Sequence, residues 1–296
     1  MAEDAGNRVP VSKMTPEQKA VHQETVTAGK NWGAANPAPH HSNIVSHFEQ
    51  ATPDEIEYGK NWYKDAHHLA KTIGRGTNTP IHTVAGLFGN YSPQTPWGDN
   101  IMNAERVARS KEAIGGPGSG VFASTSQKNA AARMLAGEHH SAVLKGHKIR
   151  AFTNLVEHGG DKDPNSPDAV VDRHAVSVAH GTRVPADYYT YGLGNLTSPK
   201  LYGAYANLYH RAAQELSRRP EIAQQHGKLS AHQVQAITWL VRQRLNQALE
   251  EGASKKRSSK VASQGRRAME DWTKHRIQYY PELGEKQGMV GYNFGS

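Results

Sequence analysis

The chain has no cysteine. That excludes a disulfide framework, cysteine-ligated zinc, an iron–sulfur cluster and a thiol nucleophile. Aromatic residues are sparse at 7%, and apolar residues make up only 36% of the 296 positions. No apolar run approaches the ~20 residues that cross a bilayer, so no membrane contact is expected. The opening segment MAEDAGNRVP has no apolar stretch; no secretory signal is expected, and the expected location is the cytoplasm. A Walker-type glycine loop, a GxSxG elbow and an HExxH pair are also missing. No cofactor is expected.

Charge is plentiful and uneven. The chain carries a formal +8. Residues 254–276 hold eight basic residues, among them Lys255, Lys256 and Arg257, against two acids; this segment is +6 and the rest of the chain is +2. Such an arm suits phosphate contacts that are independent of base sequence and weakened by salt, and equally suits a solvated tail.

Helical signals dominate from residue 53. Thr52-Pro53-Asp54-Glu55 opens a helix reaching about residue 74, with proline at the first position and acids in the first turn. Thr79-Pro80, Pro96, Ser124, Ser198-Pro199 and Ser230 open others, each followed by an apolar stripe at the helical period. ANPAPHHSN (35–43), GGPGSG (115–120) and GGDKDPNSPD (159–168) read as loop, flexible break and loop. No convincing strand appears, so the expected class is all-α. The expected organisation is an N-terminal extension, partly loop, over 1–52, a helical domain over 53–252, and a basic tail over 253–296. The tetrapeptide GKNW occurs at 29–32 and 59–62, too short to define a repeat.

Three constellations carry candidate chemistry. In LFGNYSPQTPWGDN (87–100), a polar turn holds Ser92, Gln94 and Thr95 between two apolar helices. These side chains suit hydrogen bonds to bases or phosphates, or ordinary capping. In VLKGHKIRAF (143–152), a glycine precedes a basic helix start. Backbone N–H groups there suit phosphate, and Lys145, His147, Lys148 and Arg150 add charge. In AVVDRHAVSVAHG (169–181), Asp172 falls at a helix start. An ionised carboxylate there can orient water or stabilise positive charge on a sugar ring, or simply cap the helix. The 17 histidines show no tight metal spacing. Asp65 with His67, or Asp172 with His174, would need distant partners to bind a metal, and no metal site is expected.

The order of these three elements resembles the helix-hairpin-helix DNA glycosylase superfamily. The matching positions are Ser92-Pro93-Gln94-Thr95, the hairpin Leu144-Lys145-Gly146-His147-Lys148, and Val171-Asp172-Arg173-His174, with AHQVQAITWLVRQR (231–244) as the closing helix. The chain also resembles uncharacterised proteins of actinobacteria and their phages over roughly residues 44–250.

The glycosylase resemblance implies a two-lobed helical bundle that binds double-stranded DNA and flips a base into the cleft. It implies that Gly146 and its neighbours (Lys145, His147, Arg150) hold a phosphate, often with a monovalent cation at the hairpin. Gln94 would fill the gap left by the flipped base, flanked by Ser92 and Thr95. Asp172 would be the catalytic carboxylate for N-glycosidic cleavage, with Arg173 and His174 beside it on the DNA. Lys148 lies near the lysine that bifunctional members use, without clean alignment, so no lyase activity is expected. The hairpin here has one glycine and no proline, where the family pattern has two glycines and a proline. Two other functions fit the same residues: a phage DNA base-hypermodification transferase, and a non-enzymatic nucleic-acid-binding or virion-associated protein.

Overall fold

A computed structural model describes residues 10–160, 163 and 167–253. The described residues are helical, with no strand among them. Helices α1 (Pro16–Ala35), α2 (His41–Phe48), α3 (Pro53–Thr77), α4 (Ile81–Tyr91), α5 (Trp97–Ser110), α6 (Thr125–Leu135), α7 (His140–Val143), α8 (His147–His158), α9 (Arg173–His180), α10 (Pro199–Ser217), α11 (Pro220–His226) and α12 (Ala231–Ala253) follow in chain order.

Local chemistry sets many of the starts. Thr15, Thr52 and Ser124 each form a reciprocal capping box, with Gln18, Glu55 and Gln127 respectively. Each satisfies two backbone donors that would otherwise lack partners. Asn78 and Lys111 end α3 and α5 in the left-handed region.

The helices enclose two hydrophobic cores. The first joins Ile73 of α3, Leu87, Phe88 and Tyr91 of α4, Ile101 and Val107 of α5, Met134 of α6 and Val156 of α8. The second joins Ile44 and Phe48 of α2, Val176 and Val178 of α9, Tyr209 and Leu216 of α10, and Val234 and Ile237 of α12. Full burial of a large apolar side chain contributes roughly 1.5–3 kcal/mol. Helices α3 and α12 form the wall between the cores: Tyr63 and Ala236 face the first, and Ile56 and Ile237 the second. Their close crossing depends on Gly59, where a Cβ would lie 2.8 Å from the backbone N and Cα of Ile237.

Two sequence expectations change. The helical body begins well before residue 53, because α2 buries Ile44, Val45 and Phe48 in the second core. The backbone N–H of His40 also bonds Ala179 O at 2.8 Å. Upstream, α1 is a helix whose Trp32 packs on Tyr188, with ring centroids 4.6 Å apart. The second change is at GGPGSG, which is anchored at its ends. Ile114 and Ala123 pack on the first core, and Gly116 N–H bonds Ala123 O at 2.6 Å.

The two GKNW segments do parallel work on α1 and α3. Each glycine sits where another backbone approaches: Asp187 O would be 2.6 Å from a Cβ at Gly29, as Ile237 is close at Gly59. Each tryptophan, one turn on, packs into the neighbouring aromatic group.

Candidate functional site

The hairpin is present. Helix α7 is a single turn, Leu144 is extended, and Gly146 adopts φ +86° ahead of α8. A Cβ at Gly146 would meet nothing within 4 Å, so the turn is open to solvent. Gly146 supplies no side-chain cap to α8; the first backbone N–H groups of that helix therefore point toward any approaching anion, reinforced by the macrodipole. Lys145 is exposed and Lys148 half-buried. Arg150 has a different job from the one expected. It donates Nε to Leu144 O (2.9 Å) and Nη2 to Ser141 O (3.1 Å), locking the end of α7 against α8.

Asp172 caps α9. Its Oδ1 accepts the Ala175 N–H at 2.8 Å, and the residue is half-buried between exposed Arg173 and half-buried His174. Tyrosines surround it. Its negative charge adds to burial in pushing the hydroxyl pKa of Tyr63 well up and that of Tyr189 up to about 12, with Arg173 pulling the latter back. Tyr202 and Tyr209 are raised in the same way, by burial first and by Asp172 as a smaller contribution. Tyr63 belongs to the first core and Tyr202 and Tyr209 to the second, so Asp172 lies at the seam.

Tyr202 connects Asp172 with the hairpin. Its hydroxyl accepts the Val171 N–H (3.2 Å) and donates to Ala169 O (2.9 Å). Its ring packs on that of His147, centroids 5.4 Å apart. His147 in turn donates Nε2–H to Thr197 O at 3.2 Å. The hairpin turn and the segment leading into Asp172 therefore meet through one side chain.

The polar turn is held by local bonds: Ser92 Oγ donates to Gly89 O (3.0 Å) and Thr95 Oγ1 to Pro93 O (3.2 Å). Gln94 is exposed at φ +59°, a strained conformation for a residue with a Cβ. Aromatic side chains run inward from this turn. Trp97 packs on Trp62 (5.1 Å between centroids) and Phe152 (6.3 Å), and Phe152 on Tyr63 (6.4 Å). Trp62, Trp97 and Phe152 are half-buried. The line thus leads from Trp97, three residues after Gln94, to the tyrosine that feels the charge of Asp172.

Tyr63, Tyr189, Tyr202 and these three rings were not among the sequence candidates. Only tertiary packing brings Tyr63, Tyr189 and Tyr202 within the field of Asp172 and sets Trp97 against Trp62 and Phe152 against Tyr63. A shallow cavity lined by Gln214, Ser217, Arg218 and Lys228 lies at the α10–α11 corner and contains none of the candidates. Lys255, Lys256 and Arg257 lie outside the described residues.

A family model matches residues 30–247 of this chain, nearly all of the helical body. The chain belongs to the DUF7178 family. That family is one of unknown function. No curated protein and no solved structure matches the chain. The matched range takes in α2 through most of α12 and stops before the basic arm. Among the described residues, no helix is long and apolar enough to cross a membrane.

Proposed function

We propose that this protein is a cytoplasmic DNA-binding enzyme that cleaves the N-glycosidic bond of an extruded damaged or modified nucleotide, with Asp172 as its carboxylate. The observation that carries the reading is the Tyr202 link between the hairpin and the segment entering Asp172. A phosphate held by the α8 N-terminus, with Lys145 beside it, would bring a neighbouring sugar toward the seam. Half-buried Trp62, Trp97 and Phe152 offer ring faces to an extruded base. Gln94 stands exposed at the rim, suited to the gap the base leaves.

In the reaction, the C1′–N bond breaks and its electron pair leaves with the base. Asp172 offsets the positive charge on the sugar. A water oxygen bonds to C1′, and the proton it sheds passes through Asp172 to the departing base. Capping does not preclude this role, because the Ala175 N–H occupies Oδ1 only.

A non-enzymatic DNA-binding role is the second reading, favoured by the same cap: an aspartate engaged with its own helix needs no substrate to account for it. The test is incubation of the full chain with duplexes carrying mixed lesions or modified bases. The expected result is release of a free base by the unmutated chain and none by Asp172→Asn, with DNA affinity retained, since asparagine caps as well as aspartate. An unmutated chain that releases no base from any such duplex overturns the enzymatic reading. Affinity that depends on salt and is indifferent to Asp172→Asn would then leave the binding role. Turnover of an activated hydroxymethyl-pyrimidine duplex without an abasic product would instead indicate a base-modifying transferase.

A further inference from the structure

The tripeptide His-His-Ser occurs at 40–42 and again at 139–141. Both copies fold alike. The first histidine is the N-cap of a helix, its ring accepts the serine N–H, and the serine Oγ lies 2.8 Å from Nδ1. The two histidine rings stand 4.2 Å apart in each copy. The second histidine faces a carboxylate through Nε2: His41 meets Glu215 at 3.2 Å, and His140 meets Glu157 at 2.6 Å.

The copies differ in what else reaches the carboxylate. Glu215 also pairs with Arg219 at 3.3 Å, so a permanent cation already meets its charge. Glu157 has no lysine or arginine partner among the described residues; its other oxygen faces His139 Nε2 at 3.5 Å. One donor atom from each of His139, His140 and Glu157 falls within 4.8 Å of the others. His82 of α4 stacks on His139, with centroids 5.1 Å apart.

We propose that His139, His140 and Glu157 bind a divalent transition metal, zinc foremost, with water as the fourth ligand. Two imidazole nitrogens and a carboxylate oxygen are zinc-type donors, whereas magnesium and calcium take oxygen ligands. Tetrahedral zinc with ligands about 2.0–2.2 Å away sets its donor atoms roughly 3.4 Å apart. The two histidine contacts, 2.6 and 3.5 Å, run to different oxygens of Glu157 and fall on either side of that spacing. The cluster is held in place before any metal arrives. His140 is fully buried, packed where Gly86 lacks a side chain. His139 is oriented by Ser141, whose N–H its Nδ1 accepts; coordination through Nε2 requires the ring proton to shift to Nδ1, where Ser141 Oγ at 2.8 Å can accept it. The backbone carbonyl of Glu157 accepts His67 Nδ1–H at 2.8 Å. His140 pairs with Glu157 through Nε2, while its Nδ1 is buried with no partner. Metal binding replaces the Nε2 proton that His140 shares with Glu157, the ring taking the Nδ1–H form. Glu157 lies eleven positions beyond Gly146, about 16 Å along the helix, so the site stands independently of the proposed DNA chemistry.

The test titrates metal-free full-length protein with Zn2+ by calorimetry, and with Co2+ by visible absorption. The expected result is one bound metal with the d–d bands of four-coordinate cobalt. Affinity should fall by about tenfold or more in His139→Ala and in Glu157→Gln, with helicity by circular dichroism unchanged. His139 is exposed, so that variant keeps the test readable if Glu157→Gln folds poorly. Glu215→Gln serves as the control and should bind as the unmutated chain does. Absence of binding, or affinity within about twofold in both His139→Ala and Glu157→Gln, overturns the proposal and leaves His140–Glu157 a structural hydrogen-bonded pair.

Discussion

The two His-His-Ser corners share a sequence, a capping geometry and a facing glutamate, yet they sit in different electrostatic settings. At α2 the glutamate is 41% exposed and shared with Arg219; at α7 it is 15% exposed, and its partner His140 is at 0%. The same three residues give a histidine–carboxylate contact shared with an arginine in one half of the molecule and a candidate metal centre in the other. A short motif therefore specifies local conformation, and the residue delivered opposite it by tertiary folding specifies the chemistry. The GKNW pair teaches the same lesson through packing, since one copy serves an outer helix and the other the wall between the cores.

The largest contrast is expected at the two GKNW glycines. Gly59→Ala drives a Cβ into the Ile237 backbone between two long helices and should cost about 3 kcal/mol, near the upper end for overpacking. Gly29→Ala meets Asp187 O, but α1 is peripheral and should relieve the clash by shifting, at about 1 kcal/mol. Urea unfolding of the two variants measures the difference; equal losses would show that α1 is as integral as the central wall.

Next come the corners. Without metal, Glu157→Gln deprives buried His140 of a charged partner and should lose about 2 kcal/mol. Glu215→Gln at the exposed corner should lose less than about 1 kcal/mol. Chemical denaturation of both variants would show whether burial separates the corners.

A pH effect should be centred on the second core. Burial is the main cause lowering the pKa of both His47 and His180, partly countered by the carbonyls of Asn43 and Pro37. A folded pKa below the unfolded value of about 6.5 means that the unfolded chain takes up protons first. Stability from these groups is present above pH 6.5 and is lost as pH falls from there through their folded pKa. The urea midpoint should therefore drop between pH 7.5 and 5.5, and the drop should shrink in His180→Gln. A midpoint that stays level over this range would count against buried neutral histidines.

The smallest expected change is at the α9 start. Asp172→Asn should alter stability by less than about 0.5 kcal/mol, while Asp172→Ala should lose about 1 kcal/mol with the cap. Thermal unfolding of the pair separates the capping contribution of Asp172 from whatever the asparagine variant does to activity.

Much of this architecture was readable from residue order. Proline starts and the serine at 124 gave the beginnings of α3, α6 and α10, and apolar stripes gave buried faces of α3 and α10. The hairpin turn and the helix-start position of Asp172 were also legible. Helix α2 was not, because a two-turn helix following proline-rich ANPAPHHSN gains its stability from burying Ile44 and Phe48, which local signals do not register. The hairpin role of Arg150 was hidden too, since its acceptors are carbonyls six and nine residues back, outside any side-chain pattern. His140 and Glu157 lie 17 residues apart and match no ligand spacing; a pair of adjacent histidines was the one available hint.

By itself, the sequence determined that the described residues form helices and no strands, where the principal helices start and that Asp172 begins one of them. These outcomes depend on interactions spanning a few residues, which composition and period encode. Tertiary structure decided which carboxylate faces which histidine pair, which tyrosines surround Asp172 and how Tyr202 joins the hairpin to it. Those outcomes depend on distances between residues far apart in the chain, set only when α3 and α12 pack together and both cores close.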